Sequence, residues 1–342
     1  MLAGAMGGRA GQGIEGGAAP AIVIHIGYHK TGTTWLQREL FPKVRNARLV
    51  PRAVIRQELL LPYPFRFDPQ AARRAVLGDA GGRVLLSEEE LSGNLHTGGL
   101  HGGMSKEIAE RLARTFPEAH VVIFIRSQKE MLASAYKQYV EGGGTGSIHR
   151  FLRPSRSPHT TPRFTLDYLA YDGLVGHYES LFGRDAVHVH PCEALRRERA
   201  AFVETFAASL GLEVDVASLS FAARNVGFRH RTLRVMRVLN HFHDREIPNS
   251  TCAIGIPGAY PLLKRFGAWL NRLPWMGRAE ALEDFLDAAR IREIEDGFRE
   301  SNGRLEASRG LGLARWGYAL PGRPASAAPG QTSTSSKISA TR

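Results

Sequence analysis

Four short, mainly apolar runs, 21–26, 84–87, 121–125 and 187–190, stand out along a chain that is otherwise amphipathic. Runs of this length read as strands buried on both faces. Between them the apolar positions change period. Ile108, Ala109, Leu112, Ala113 and Phe116 share one helical face, and so do Met131, Leu132, Ala135, Tyr136 and Tyr139. Phe202, Val203, Phe206 and Leu210 form a further stripe, with Gly211 placed as its C-cap. Buried strands alternating with helices predict an α/β fold with a central parallel sheet flanked by helices. Ligands of such sheets sit beyond the carboxyl ends of the strands, so chemistry is to be sought in the residues that follow each run. Residues 141–162, rich in Gly, Pro and Ser, read as a long mobile loop.

The first run leads into Gly-Tyr-His-Lys-Thr-Gly-Thr-Thr-Trp-Leu, a turn rich in glycine and hydroxyls that opens a helix. That order makes an anion cradle. Gly27 and Gly32 let the backbone turn, the N–H groups of the helix start point at oxyanions, and Lys30 adds a full charge. Thr31, Thr33 and Thr34 add hydroxyl donors. In the Walker ATPase loop the lysine follows the second glycine, whereas Lys30 precedes Gly32, which counts against an ordinary ATPase. The plainer alternative is a strand-to-helix turn that uses Gly and Thr only for capping.

The third run ends on Arg126, and Ser127 with Glu130 reads as a capping box opening the next helix, in which Ser134 lies eight residues beyond the arginine. Residues 224–231 carry Arg229 and precede a basic helix with Arg234 and Arg237, which read equally well as a solvated face. The second run ends in three carboxylates, Glu88, Glu89 and Glu90. Acids there serve either as a proton acceptor or as decoration of a helix N-terminus capped by Ser87. His96, His101, His149 and His159 are alternative bases.

Composition narrows the class. With 342 residues and 43% hydrophobic residues the chain can bury one large core, placed at residues 21–320 between a leader (1–20) and a Pro, Ser, Thr and Ala-rich tail (321–342), both expected to be disordered. Lys and Arg number 45 against 33 acids, a formal charge of +12 that suits an anionic ligand, nucleic acid or an acidic membrane surface. Two distant cysteines, Cys192 and Cys252, imply neither a disulfide framework nor a zinc site, so a reducing, cytoplasmic setting is expected. No recognised metal-ligand spacing occurs and no apolar run is long enough for a membrane span.

Residues 29–37, His-Lys-Thr-Gly-Thr-Thr-Trp-Leu-Gln, resemble the 5'-phosphosulfate loop of the sulfotransferase family. Many members have Pro where this chain has His29. The resemblance implies a P-loop nucleotide-kinase-like architecture and the donor co-substrate 3'-phosphoadenosine 5'-phosphosulfate, without a metal. It implies that Lys30 contacts the bridging and sulfuryl oxygens and that Thr31, Gly32, Thr33 and Thr34 hold the phosphate. Arg126 and Ser134 are similar to the family's 3'-phosphate element, and Arg229 to a closing phosphate contact. Members acting on sugars place a glutamate after the strand ending at residue 87, which makes Glu89 the expected base and Glu88 the runner-up. Tyr168, residues 181–183, Glu193 and residues 300–302 continue the resemblance. The implied reaction is in-line sulfuryl transfer to the hydroxyl of a small-molecule or glycan acceptor, with a carbohydrate or glycolipid favoured. Competing expectations are a P-loop kinase of small molecules and a basic nucleic-acid-binding protein. The latter lacks an aromatic platform or a known binding motif.

Overall fold

The structure is a computed structural model that describes residues 21–78, 81–154, 163–222, 227–243, 251–278 and 281–322. Five strands form its sheet: β1 (Ile22–His25), β2 (Arg48–Leu49), β3 (Val84–Ser87), β4 (His120–Ile125) and β5 (Val187–Pro191). All pair in parallel in the order β2-β3-β1-β4-β5. Every residue of β1 and β3 is buried, because helices cover both faces of the sheet centre. In β5, at one edge, burial alternates, with Val187, Val189 and Pro191 inward and His188 and His190 half-exposed. The other edge, β2, is a two-residue strand carrying no apolar run, and the hydrophobic pattern misses it.

The helices Gly103–Thr115, Gln128–Glu141 and Cys192–Ser209 follow the predicted stripes. One hydrophobic cluster runs from Ile22 to Tyr318. The chain leaves β1 towards the β2–β3 side and leaves β4 towards β5. The connections therefore diverge at the β1/β4 pair, whose carboxyl end is where sheets of this kind take their ligands.

The expected mobile loop is largely packed. After the helix Gln128–Glu141 the chain folds back so that Gly146 N–H donates to the Tyr139 hydroxyl (2.9 Å) and the Tyr136 hydroxyl donates to Gly146 C=O (3.1 Å). The short helix Ile148–Phe151 then stacks Phe151 on Phe164, with centroids 4.7 Å apart. Glycine in this stretch serves close packing against aromatic rings rather than freedom of movement: a Cβ on Gly144 would lie 2.4 Å from the Tyr139 ring. Residues 155–162, the leader 1–20 and the tail from 323 lie outside the described residues.

Candidate functional site

Beyond β1 the chain stays tied to β4, since Ile26 and Tyr28 N–H donate to Val122 and Phe124 C=O (3.1 and 3.3 Å). Lys30 (φ +67°) and Gly32 (φ +97°) then adopt left-handed conformations that turn the chain into a helical run beginning at Thr33–Trp35. For lysine this costs on the order of 1 kcal/mol, the kind of local strain that collects at functional loops. No side chain caps the start of the helix, and Gly32 C=O takes up Trp35 and Leu36 N–H (2.9 and 3.2 Å). The three threonines differ. Thr31 is buried with its hydroxyl donating inward to Tyr28 C=O (2.5 Å), so only its backbone is available to an anion. Thr33 Oγ1 is buried without a hydrogen-bond partner, and Thr34 is exposed. An uncapped helix start beside an orphan hydroxyl and a lysine fits a phosphate-sized anion.

Arg126 reaches this loop directly, its Nη1 donating to Lys30 C=O (3.2 Å). The rest of its fork holds Glu130, with Nε and Nη2 donating to Oε2 at 3.2 and 2.9 Å, and Arg196 Nη1 donates to the same oxygen (3.1 Å). Burial pushes the Glu130 carboxyl up, but the two arginines outweigh it and hold the group below the usual range. The expected capping box is therefore absent. Ser127 makes no side-chain cap, because the neighbouring arginines attract Glu130 more strongly than a backbone N–H does. Instead, Ser127 N–H donates to buried Glu193 (2.9 Å), which also accepts from the Tyr318 hydroxyl (3.2 Å), while the Tyr171 hydroxyl donates to Arg126 C=O (2.7 Å). The end of β4 is thus clamped by three side chains.

Ser134 lies half-buried further along the helix Gln128–Glu141. Arg229 is turned elsewhere. Its N–H donates to Asn271 Oδ1 (2.6 Å) and its Nη1 to Leu273 C=O (3.3 Å), so it ties two helices together, and no hydrogen bond or ion pair joins it to Lys30, Arg126 or Ser134. Residues 223–226, which open the third expected element, lie outside the described residues.

The three acids after β3 take separate roles. Glu88 is fully buried, with Arg52 donating to both oxygens (2.9 and 2.7 Å) and Arg56 donating to both as well (2.7 and 3.3 Å). Burial drives its carboxyl up, and the hydrogen bonds from Arg52 and Arg56 drive it down to a net value below the usual range. Glu88, not Ser87, caps the following turn, by accepting from Glu90 N–H. Glu89 is about a quarter exposed; it accepts from Gln37 Nε2 (3.0 Å) and lies 3.0 Å from Arg52 Nη2. Glu90 pairs with His29 Nε2 at 3.2 Å.

Sequence reasoning missed Arg52, Arg56, Gln37 and the His29–Glu90 pair. The signal for the arginines was their i,i+4 spacing, which aims two cations from one helical face. Close by, burial and the charges of His29 and Lys30 lower His96 to about 4, so its imidazole is neutral at pH 7, and its Nδ1 has no partner. His101 lines a cavity of about 360 Å³ that reaches Tyr28 and is edged by Ser105, Lys106, Thr165, Tyr168 and His177. His149 is exposed, and His159 lies outside the described residues.

No family model matches the chain, and no curated protein matches it by sequence. Among solved structures it is similar to a sulfotransferase from Alicyclobacillus acidocaldarius, at 20% identity and a TM-score of 0.44 over 65% of this chain and 93% of that one. It is also similar to a mouse sulfotransferase complexed with PAP, at 12% identity and a TM-score of 0.42 over 85% of this chain and 88% of that one.

Proposed function

We propose that the chain is a sulfotransferase that moves a sulfuryl group from 3'-phosphoadenosine 5'-phosphosulfate to an acceptor hydroxyl. The observation that carries this reading is the hydrogen bond from Arg126 to the Lys30 carbonyl, which brings two anion-binding elements together at the carboxyl end of the β1/β4 pair. One is the uncapped loop with Lys30 and the orphan Thr33 hydroxyl, suited to a 5'-phosphosulfate; the other is a guanidinium fork suited to a 3'-phosphate. Ser134 would add a donor on the same helix as Glu130. Arg229 stays a candidate closing contact for the donor, since one of its five N–H groups is used, at 3.3 Å, by Leu273 C=O.

In the transfer the sulfur–oxygen bond to the donor's 5'-phosphate breaks as the acceptor oxygen bonds to sulfur. Lys30 and the helix N–H groups stabilise the charge left on the phosphate oxygen. Glu89 takes the acceptor proton; it is the acid neither buried between arginines nor paired with histidine. The cavity reaching Tyr28 mixes Ser105, Thr165, His101 and Lys106 with Leu174, Ala170 and several glycines, and has room for a small hydroxylated acceptor such as one sugar unit. A Mg-dependent kinase is the poorer reading, because Glu88 at the end of β3 has both oxygens taken by arginines. Unpaired Cys192 and Cys252 fit a reducing, cytoplasmic setting.

Thermal melting tests the reading. 3',5'-adenosine bisphosphate at a hundred times its Kd should stabilise the fold by about 2.7 kcal/mol. Stabilisation by ATP with Mg or by oligonucleotides, and none by the bisphosphate, would overturn it.

Glu130 supplies a second test. Its carboxylate sits on the guanidinium that the 3'-phosphate would use, so binding must displace it or share the fork. Glu130→Gln is expected to tighten 3',5'-adenosine bisphosphate binding by roughly three- to tenfold, the net range of one ordinary hydrogen bond. A titration calorimetry series showing weaker binding would mean that Glu130 positions Arg126 rather than competing for it.

A further inference from the structure

Nine of the thirteen large apolar side chains most exposed among the described residues belong to one stretch of chain, from Val235 to Trp275. Its centre is the helix Ala259–Leu270. The inward face of this helix carries Leu263 and Gly267, the latter so close to Met236 that a Cβ would lie 2.7 Å from its sulfur. The outward face is apolar as well. Leu262 (67% exposed), Phe266 (42%) and Trp269 (55%) fall at i, i+4 and i+7, and the Phe266 and Trp269 rings lie side by side with centroids 5.6 Å apart. Trp275 is exposed just beyond the helix, and Ile254 and Ile256 just before it.

Helical spacing puts Arg265 along one margin of this stripe, three residues from Leu262, and Arg272 follows in the turn just past the helix; both are exposed. Residues 227–278 hold nine Lys and Arg against two acids, Asp244 and Glu246. An apolar stripe of Leu, Phe and Trp edged by arginines is the arrangement of a helix that lies in a bilayer interface, with aromatic rings at the acyl boundary and guanidinium groups at the lipid phosphates. No helix of the described residues is long and apolar enough to cross a membrane, so the mode is surface docking.

We propose that the outward face of the helix Ala259–Leu270, with Trp275, docks the protein on an anionic lipid bilayer. A second copy of this chain fits the face less well, because two such surfaces would bring an excess of like charges together. The inference is independent of the sulfuryl-transfer reading.

Co-sedimentation with vesicles tests it on the full chain. Vesicles of phosphatidylcholine with about one-third phosphatidylserine should bind the protein, and pure phosphatidylcholine should bind it at least about tenfold more weakly. Phe266→Glu with Trp269→Glu should abolish binding, and Arg265→Glu with Arg272→Glu should weaken it by more than about twentyfold, at about fivefold for each charge. These side chains are exposed, so both variants should keep the wild-type melting temperature and nucleotide affinity. Absence of binding to the anionic vesicles overturns the proposal. So does a concentration-dependent dimer, seen by sedimentation velocity and lost in the Phe266→Glu/Trp269→Glu variant, which would assign the face to self-association.

Discussion

Glu88→Gln should destabilise the fold by about 1–3 kcal/mol, a few degrees in melting temperature, since Arg52 and Arg56 are 38% and 49% exposed and water takes up part of their charge. Glu88 is wholly buried, and four guanidinium donor groups converge on its two oxygens. An amide can accept at one oxygen only, and it leaves the positive charge of Arg52 and Arg56 facing a buried neutral group. The residue named from sequence as the runner-up base is thus one whose loss acts on the fold. Acid titration provides a second readout. The folded carboxyl is held below its usual value, so its contribution to stability is fully present above about pH 4.5 and is lost as pH falls through the folded value. Glu88→Gln should remove that segment of the stability profile. Replacing the whole set by Glu88→Met, Arg52→Leu and Arg56→Leu should recover much of the loss, because the cost lies in breaking the pair rather than in lacking it. A Glu88→Gln variant that melts with wild type would show the carboxylate to be solvated, contrary to its burial.

The central strands were legible because burial on both faces leaves a nearly continuous apolar run, and β5 by its alternation of valine and histidine; β3 matches its run residue for residue while β1, β4 and β5 differ only at their ends. β2 was not, since a two-residue edge strand of Arg48 and Leu49 has no periodicity to detect. Within the site, Lys30 and Arg126 were legible from their places at the ends of buried strands, and the structure joins them. What escaped was everything decided by long-range charge. Arg52 and Arg56 lie 36 and 32 residues before Glu88, and only the packing of β2 beside β3 brings their helix there. The capping box at Ser127 failed because Arg126, four residues from Glu130, takes the carboxylate, and Arg196 arrives from beyond β5 to share it. Thr31 turned inward because its hydroxyl lies within reach of a carbonyl three residues back. The residues of the more diffuse resemblance prove to be clips. Glu193 fixes Ser127, the Tyr168 hydroxyl donates to Gly93 C=O (3.0 Å), and Asn302 accepts from Gln128 (2.7 Å).

The largest effect on chemistry is expected at Glu89. A general base contributes about a hundredfold to ten-thousandfold in rate without touching the donor, so Glu89→Gln should lower kcat by that factor and leave 3',5'-adenosine bisphosphate affinity unchanged. The geometry supports the substitution as a clean one. Glu89 is about a quarter exposed, it accepts one hydrogen bond from Gln37 that a glutamine carbonyl can also accept, and Glu88 remains to hold Arg52. Glu90→Gln is the better neighbouring control than Glu88→Gln, because Glu90 is only half-buried and meets a single partner, His29. It should cost little in turnover. Glu89→Gln at wild-type turnover would exclude this base and move attention to His96, whose neutral imidazole and orphan Nδ1 lie in the same charged neighbourhood as Lys30. His96→Asn separates the two cases. If it turns over normally while Glu89→Gln is slow, the proton goes to the carboxylate; if it alone is slow, the proton goes to the ring.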